Sequence, residues 1–360
     1  MHIREFLTRL TANMAMALIV VASGSCGAAA QGLRPARRPR PLVAIVADNA
    51  GTETTDLMIP HAVLSRCGAA DVVVVAPEPG RITLMPALAI SAQLTLAGFD
   101  ERYPGGADYV VVPALHQADN DRILSWLVRQ FARQANIAGI CEGARVLGKA
   151  GLLDGREATT HWYAAQDLRK AYPTMRWVND RRYVVDRGIM TTTGVSASLP
   201  ASLVLVEAIA GRQRAQELAA QLGIRDLGEG HDSGRFHLGA AHVWRVIANT
   251  ALLWRHETVE IAGQDGLDGI ALALTADAWS RTYRSQAVLT APAGSPELLP
   301  SRDGLLLHTQ PAQAGALPLS LQGDLPAAAH LERALAAIAA RYGRSTAALV
   351  ALQLEYAWPG

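Results

Sequence analysis

The sequence predicts a layered α/β fold built on a parallel sheet, and three features of its 360 residues carry this prediction. Short aliphatic runs recur along the chain, helical patterns separate them, and half of the residues are hydrophobic whereas 18% are charged. Such runs are typical of strands that a parallel sheet buries on both faces. At roughly 150 residues per domain, the length predicts about two domains, each able to bury a core.

Composition and charge also limit the function. The chain has 33 basic and 32 acidic side chains, whereas nucleic-acid binders usually carry a basic excess, so we expect no nucleic-acid partner. The run at 217–224 could begin a helix-turn-helix, but the residues at 225–230 are poor material for a recognition helix, which favours a core helix. Three cysteines are too few for a disulfide framework.

The N-terminal region is predicted to be a processing segment. Residues 1–30 combine a basic start, an apolar stretch at 12–22 and small residues up to Ala30, the pattern of a signal peptide. The stretch is shorter than the roughly 20 residues that span a membrane, which favours cleavage over the alternative of an N-terminal anchor. Residues 31–40 are basic and proline-rich, and they predict a linker that packs against no core. We therefore expect an exported, periplasmic protein, with membrane attachment through an uncleaved segment as the alternative.

The first complete domain is predicted over 41–211. Its strands are expected at 42–47, 71–76, 109–114 and 135–140, and its helices at about 56–67, 120–134, 142–152, 163–171 and 198–210. Shorter strands are expected at 159–161 and in the hairpin-like segment 181–193.

The remainder is predicted to be a helical connector at 212–256 and a degenerate partial α/β repeat at 257–360. Residues 257–292 can be aligned with 40–77, matching Val259 to Val43, and helices follow at about 327–341 and 344–355. The repeat contains no cysteine, so it cannot duplicate thiol chemistry. Its expected roles are packing, lid formation or dimer-like pairing with the first domain.

The strongest chemical signal is at Cys141. A buried strand ends there and a helix follows at once through Glu142 and Gly143, which is the pattern of a nucleophile elbow. Unpaired N–H groups and the positive end of the helix dipole would stabilise a thiolate. The alternative is that Cys141 is a small buried hydrophobic residue. Cys67, near the end of a predicted helix, is expected to be structural.

The segment CEGARVLGKAGLLDGREATTHW at 141–162 resembles the ThiJ/PfpI superfamily. The resemblance covers about 41–211 and is greatest for the branch found as the ligand-binding-like domain of AraC-type transcriptional regulators. It implies the class I glutamine amidotransferase-like fold, a three-layer flavodoxin-like parallel sheet. The partial repeat at 257–360 would be an addition to that fold.

The resemblance also implies roles for individual residues. The acidic partner of the cysteine would be Asp56, whose alternative role is to cap its own helix, and Glu53 is a weaker candidate for the same pocket. His161 would be a general base or acid, or would only shape the pocket through hydrogen bonds. Gly143 and Trp162 belong to the matching segment and are expected to line the substrate pocket.

Two departures from the family pattern bear on catalysis. Where many members have paired glycines that form an oxyanion hole, this chain has Ala114, Leu115 and His116, so His116 either joins the pocket or is a surface loop residue. Glu142 adds a negative charge beside the cysteine, which opposes thiolate formation unless it points outward or is neutralised.

The sequence thus predicts a hydrolase or lyase that uses Cys141 on a small electrophilic substrate. The alternative is a non-catalytic ligand-binding or regulatory domain. We expect no cofactor, because the chain lacks a phosphate-binding glycine loop, and no metal, because the spacing of His231, His237 and His242 matches no compact site. The sequence leaves the oligomeric state open.

Overall fold

The computed structural model describes residues 29–251, 253–291, 294 and 296–359. The predicted leader at 1–30 lies outside these residues apart from its last two positions. Within the described part of the chain, no helix is both long enough and apolar enough to cross a membrane.

The elements are numbered here in chain order. The strands are β1 (Leu42–Val46), β2 (Thr52–Glu53), β3 (Asp71–Ala76), β4 (Arg81–Met85), β5 (Ala89–Ser91), β6 (Leu94–Thr95), β7 (Tyr109–Val112), β8 (Asn136–Gly139), β9 (Glu157–Ala158), β10 (Arg176–Trp177), β11 (Tyr183–Asp186), β12 (Ile189–Thr192), β13 (Glu257–Ala262), β14 (Ser285–Ala291), β15 (Leu298–Pro300), β16 (Leu306–His308), β17 (Gln310–Pro311) and β18 (Leu317–Leu319). The α-helices are α1 (Thr54–Arg66), α2 (Leu96–Arg102), α3 (Asp121–Ala132), α4 (Gly143–Lys149), α5 (Trp162–Ala171), α6 (Val195–Ala210), α7 (Arg212–Leu222), α8 (Ala240–Ala251), α9 (Gly269–Ser280), α10 (Ala329–Tyr342) and α11 (Arg344–Gln353).

The main sheet confirms the predicted fold class. Its strand order is β11-β12-β8-β7-β1-β3-β6, and every neighbouring pair is parallel except the hairpin of β11 and β12. Alternate residues of β1 enter two separate cores: Val43 and Ile45 face α1 and α6, whereas Ala44 and Val46 face α2 and α3. This two-sided burial explains why the strands are continuous aliphatic runs.

The additional C-terminal α/β region is present and repeats the start of the main domain. Strand β13 is followed by α9 and the parallel strand β14, as β1 is followed by α1 and β3. Each unit then forms an antiparallel hairpin, β4 with β5 and β15 with β16. The two hairpins join in one sheet because β16 pairs antiparallel with β5 at Leu307 and Ile90.

Helices α1 and α9 pack against each other and are related by approximate two-fold symmetry. Two equivalent ion pairs show this symmetry. Arg66 at the end of α1 pairs with the N-cap of α9, Asp268, at 2.9 Å. Arg281 at the end of α9 pairs with the N-cap of α1, Glu53, at 2.7 Å. Each arginine thus meets the carboxylate at the start of the other helix. The C-terminal unit therefore occupies the place that a second copy of the first unit would take.

The segment at 31–40 differs from the predicted free linker. Leu33 is buried in the main core, and the segment follows the edge of the sheet where the strands begin. Asp108 fastens it by accepting hydrogen bonds from the Arg38 guanidinium at 2.7 Å and from the Leu42 N–H at 2.9 Å. Composition predicted flexibility here, but the arginines find specific carboxylate and carbonyl partners along this edge.

The predicted connector at 212–256 is only partly helical. Helix α7 packs into the main core, whereas an irregular stretch at 223–239 separates it from α8. Arg214 of α7 donates hydrogen bonds to the carbonyl groups of Arg66 and Cys67, which attaches α7 to the first domain. The apolar pattern predicted helices correctly at both ends, but Gly223 takes a left-handed conformation (φ 77°) and ends α7.

Candidate functional site

Cys141 lies in a tight turn at the carboxyl edge of the main sheet. The turn joins β8 to α4, and Cys141 has a left-handed backbone (φ 54°), a strained conformation for a residue other than glycine. Two threonines fix it: Thr192 Oγ1 accepts from the Cys141 N–H, and Thr160 Oγ1 donates to its carbonyl, both at 2.9 Å. A Cβ at Gly143 would overlap the carbonyl oxygen of Val112, so this position requires glycine. The geometry is that of a nucleophile elbow.

Asp56 and Glu53 come from the start of α1, beside Cys141. Glu53 caps α1 through its side chain, which accepts from the Asp56 N–H at 2.5 Å, so the capping role considered for Asp56 belongs to Glu53. Asp56 is fully buried and accepts from the Ala114 N–H at 3.1 Å. Burial, and then the charge of Glu53, raise the pKa of Asp56 well above its usual range.

The C-terminal unit contributes the balancing charge. Arg281 donates to Glu53 at 2.7 Å and holds Asp277 of α9 through two contacts at 2.9 and 3.0 Å. Burial raises the pKa of Asp277 to about 7, against the lowering effect of Arg281. Burial alone would lower the pKa of Arg281, but Asp277 and Glu53 raise it. One guanidinium thus serves three buried carboxyl groups, counting Asp56, which favours a proton within the cluster.

The predicted stabilisation of a thiolate is not what the structure gives. Burial raises the pKa of Cys141 well above its usual range, and the charges of Asp56, Glu142, Glu53 and Glu355 raise it further, in that order. The side chain is also only 7% exposed. Burial and these four acidic side chains therefore outweigh the end of the short helix α4, and Cys141 is a neutral thiol at neutral pH.

His161 lies in this region, but both nitrogens of its ring are hydrogen-bonded to backbone groups. Its Nε2–H donates to the Gln353 carbonyl at 3.0 Å, and its Nδ1 accepts from the Tyr163 N–H at 3.4 Å as the cap of α5. Burial lowers the pKa of His161, although Glu355 and Glu142 act in the opposite direction. The imidazole is thus neutral and its proton points to a carbonyl rather than to a thiolate.

The loop that would correspond to the family's oxyanion hole is tied to the chain before α1. The Ala114 N–H donates to Asp56, and the His116 N–H donates to the Gly51 carbonyl at 2.8 Å. Leu115 forms an antiparallel bridge with Thr52. The N–H groups of Ala114 and His116 are therefore already engaged. The His116 side chain is exposed on the loop.

The remaining predicted pocket residues surround the elbow. Glu142 lies 3.2 Å from Arg145, and its other oxygen is 4.0 Å from His161 Nδ1. Trp162 is half-buried, and its indole N–H donates to the Leu352 carbonyl at 2.8 Å. Cys67 is buried at the far end of α1, away from these residues. Among the described residues, no group of three His, Cys, Asp or Glu side chains is arranged to hold a metal ion.

Sequence reasoning missed the residues that the C-terminal unit brings to the site, Arg281, Asp277 and Glu355. Glu355 follows α11 and is 1% exposed, and its carboxylate lies between α5 and α6. For Arg281 a signal existed, since the aligned repeats place it opposite Arg66 within one residue. For Glu355 no local pattern distinguishes it from a surface glutamate.

The parallel sheet is covered by helices on both faces and presents Cys141 on a tight turn, with the acidic side chain of Asp56 from α1 beside it. These features define a class of α/β proteins that carry a cysteine at a nucleophile elbow. Residues 42–208 match the family model described as the DJ-1/PfpI family, and this part of the chain is a DJ-1/PfpI domain.

The relatives that the chain matches include enzymes and transcriptional regulators. The chain is 35% identical over 120 residues to the isonitrile hydratase of Pseudomonas putida, covering 33% of this chain and 49% of that protein. It is 33% identical over 99 residues to the HTH-type transcriptional regulator CdhR of Pseudomonas aeruginosa, covering 28% and 29%. It is 29% identical over 138 residues to the deglycase PfpI of Pyrococcus furiosus, covering 37% and 79%. The chain spans half or less of the first two relatives.

Two solved structures are similar to about half of the chain. A DJ-1 superfamily protein from Salmonella typhimurium is 26% identical with a TM-score of 0.46, covering 51% of this chain and 99% of that one. DJ-1beta from Drosophila melanogaster is 23% identical with a TM-score of 0.47, covering 52% and 99%.

Proposed function

We propose that the protein is a hydrolase or lyase in which Cys141 adds to a small electrophilic carbon, with isonitriles as the first substrate class to test. The observation that carries this proposal is the strained elbow at Cys141 next to the buried carboxyl group of Asp56. Similarity to an isonitrile hydratase over 120 residues supports the substrate class.

The chemistry follows from the raised pKa values of both groups. A neutral thiol and a protonated Asp56 can react without creating a buried charge. The sulfur forms a bond to the isonitrile carbon, the thiol proton moves to one oxygen of Asp56, and the proton of Asp56 moves to the same carbon. Water then adds to the resulting thioimidate, which releases the thiol of Cys141 and an N-substituted formamide.

His161 has a positioning role in this scheme. Its Nε2–H is held by the Gln353 carbonyl, so it supports the C-terminal segment over the site instead of accepting the thiol proton. Gly143, Glu142 and Trp162 would contact the substrate in this scheme, since they lie in the turn after Cys141 and at the start of α5.

The test compares the two buried cysteines. We expect Cys141→Ser to lose conversion of an isonitrile to its formamide by orders of magnitude, because the nucleophile is removed. Cys67→Ser, with its thiol at the far end of α1, is the matched control and should retain the wild-type rate. Equal activity of Cys141→Ser and the wild type across isonitriles and aldehydes would refute the proposal.

A ligand-binding or regulatory domain is the second candidate. Two observations favour it: Cys141 is only 7% exposed, and the chain is similar to the regulator CdhR over 99 residues. A small molecule that raises the melting temperature of both wild type and Cys141→Ser, with no product formed from any electrophile tested, would support this function over catalysis.

We also propose that the protein is exported by the segment at 1–30, as its composition predicts. Fusion of residues 1–40 to a reporter that is active only in the periplasm should give activity. A reporter that stays inactive, while a known signal peptide activates it, would contradict export.

A further inference from the structure

The carboxylate of Glu355 occupies a site made of three donors. It accepts from the Gly194 N–H at 2.7 Å, from the Trp162 N–H at 3.2 Å and from His231 Nε2 at 2.8 Å. Glu355 itself is 1% exposed, and the side chain of His231 is 6% exposed. We call these three donors the Glu355 seat.

The seat is shaped for a carboxylate by the ends of two helices. Trp162 is the first residue of α5, and Gly194 is the N-cap of α6, which has no side chain of its own to cap it. Unpaired N–H groups at such ends favour an anion. A Cβ at Gly194 would lie 2.7 Å from Glu355 Cβ and 2.7 Å from the His161 ring, so glycine is needed for this close approach.

The seat adjoins both Cys141 and a cavity. Glu355 binds Gly194 and Trp162, each two residues beyond a threonine, Thr192 or Thr160, that hydrogen-bonds the backbone of Cys141. The negative charge of Glu355 also acts on the Cys141 thiol. A cavity of about 320 Å³ borders the seat, and its charged or ionisable lining side chains include Arg182, Arg235, His231, Asp232 and Glu355. This cavity gives a small anion a route to the seat.

We propose that the Glu355 seat binds the carboxylate of a small substrate, and that the Glu355 side chain is an internal competitor that leaves the seat when the substrate enters. The substrate class is then an electrophile that carries a carboxylate. This inference rests on the proposed function for Cys141 as the reacting group.

Replacing the Glu355 carboxylate in the seat with the carboxylate of a substrate costs little free energy. The three donors stay satisfied, so the penalty for unpaired buried groups does not arise. Leu354 is buried in the main core and the Gln353 carbonyl holds His161, so the backbone of this segment stays in place and only the Glu355 side chain leaves the seat.

The test uses two alkylating reagents that differ in charge. In a background that carries both Cys26→Ser and Cys67→Ser, we measure labelling of Cys141 by iodoacetate and by iodoacetamide, and take the ratio of the two rates. Glu355→Ala should raise this ratio at least about tenfold, because the vacated seat binds the carboxylate of iodoacetate. Acetate should then slow labelling by iodoacetate in Glu355→Ala and not in the parent.

Glu142→Gln is the matched control, because it also removes a negative charge near Cys141 but leaves the seat filled. A ratio in Glu355→Ala no greater than that in Glu142→Gln, or no competition by acetate, would overturn the proposal. If Glu355→Ala does not fold, Glu355→Gln takes its place. The N–H groups of the glutamine amide would face only hydrogen-bond donors in the seat, so glutamine competes less well than glutamate. The ratio of labelling rates should then rise, and acetate should slow labelling by iodoacetate, as in Glu355→Ala. Labelling does not depend on turnover, so a raised ratio in an inactive protein would refute the proposed function and keep the seat.

Discussion

Cys141 combines a strained backbone with a thiol that its surroundings keep neutral. Its left-handed φ is maintained by two threonine hydrogen bonds, and burial together with four carboxylates raises its pKa. In most reactive cysteines the environment lowers the pKa. Here reactivity has to come from proton transfer through a neighbouring carboxyl group, and Asp56 is the one with a raised pKa.

The pH dependence of Cys141 labelling tests this account. Because the pKa is raised, the rate of labelling by iodoacetamide should keep increasing with pH beyond the range of a free cysteine. Glu142→Gln removes one of the opposing charges and should shift the pH profile to lower pH, by roughly half a pKa unit or threefold in rate at a fixed pH. Glu257→Gln, whose carboxylate binds Arg341 in the C-terminal unit, is the control. A shift to higher pH in Glu142→Gln would contradict the assignment.

For single residues, the local sequence predicted the site residues that lie close together in the chain. It missed the site residues that only tertiary contacts bring close to Cys141. An aliphatic run before small residues predicted the elbow at Cys141, and the resemblance to the ThiJ/PfpI superfamily implied Asp56 as its acidic partner. Arg281 and Glu355 reach the site only through contacts between the two units. For the same reason, the pKa of the thiol was predicted with the wrong sign.

Helices α1 and α9 show how an element can carry charge into a core. Their apolar faces pack together, and the same contact buries Asp56 and Asp277 with Arg281. The predicted boundaries of such elements are close to those observed, since α1 was expected at about 56–67 and runs over Thr54–Arg66. Segment 31–40 was harder to predict because its order depends on side-chain pairing and not on a periodic pattern.

The stability of the fold should decrease as pH rises through the titration of Asp277. Its pKa is about 7 in the folded chain and near 4 when unfolded, so the folded state binds more protons between these values. Stability from this group is full below about pH 4 and is lost by about pH 7, at no more than about 1.4 kcal/mol per pH unit. Asp277→Asn should remove this slope, as urea unfolding at pH 5 and pH 7.5 would measure. An unchanged slope would contradict the prediction.

At the scale of the whole molecule, the C-terminal unit is part of the site as well as part of the core. It pairs with the first domain through α9 and β16, and it supplies Arg281 and the segment around Glu355. The sequence predicted the repeat and its dimer-like pairing as one of three roles. It did not predict that the repeat without a cysteine would complete the site of the other.

The two related arginines separate stability from reactivity. Arg281→Met and Arg66→Met should each destabilise the fold by roughly 3 kcal/mol, because each leaves mostly buried carboxylates unpaired. Only Arg281→Met should also slow the labelling of Cys141, since the positive charge of Arg281, which favours the Cys141 thiolate, is then lost. Unfolding by urea and labelling by iodoacetamide measure the two effects. Equal labelling rates in both variants would contradict the assignment of Arg281 to the site.

The pairing of α1 with α9 inside one chain has a consequence for how the protein behaves on dilution. A site shared by two separate subunits is lost when the concentration falls below their dissociation constant. Here the covalent connection keeps the second unit at a fixed, high effective concentration next to the first. The rate per molecule should therefore be constant down to very low protein concentration.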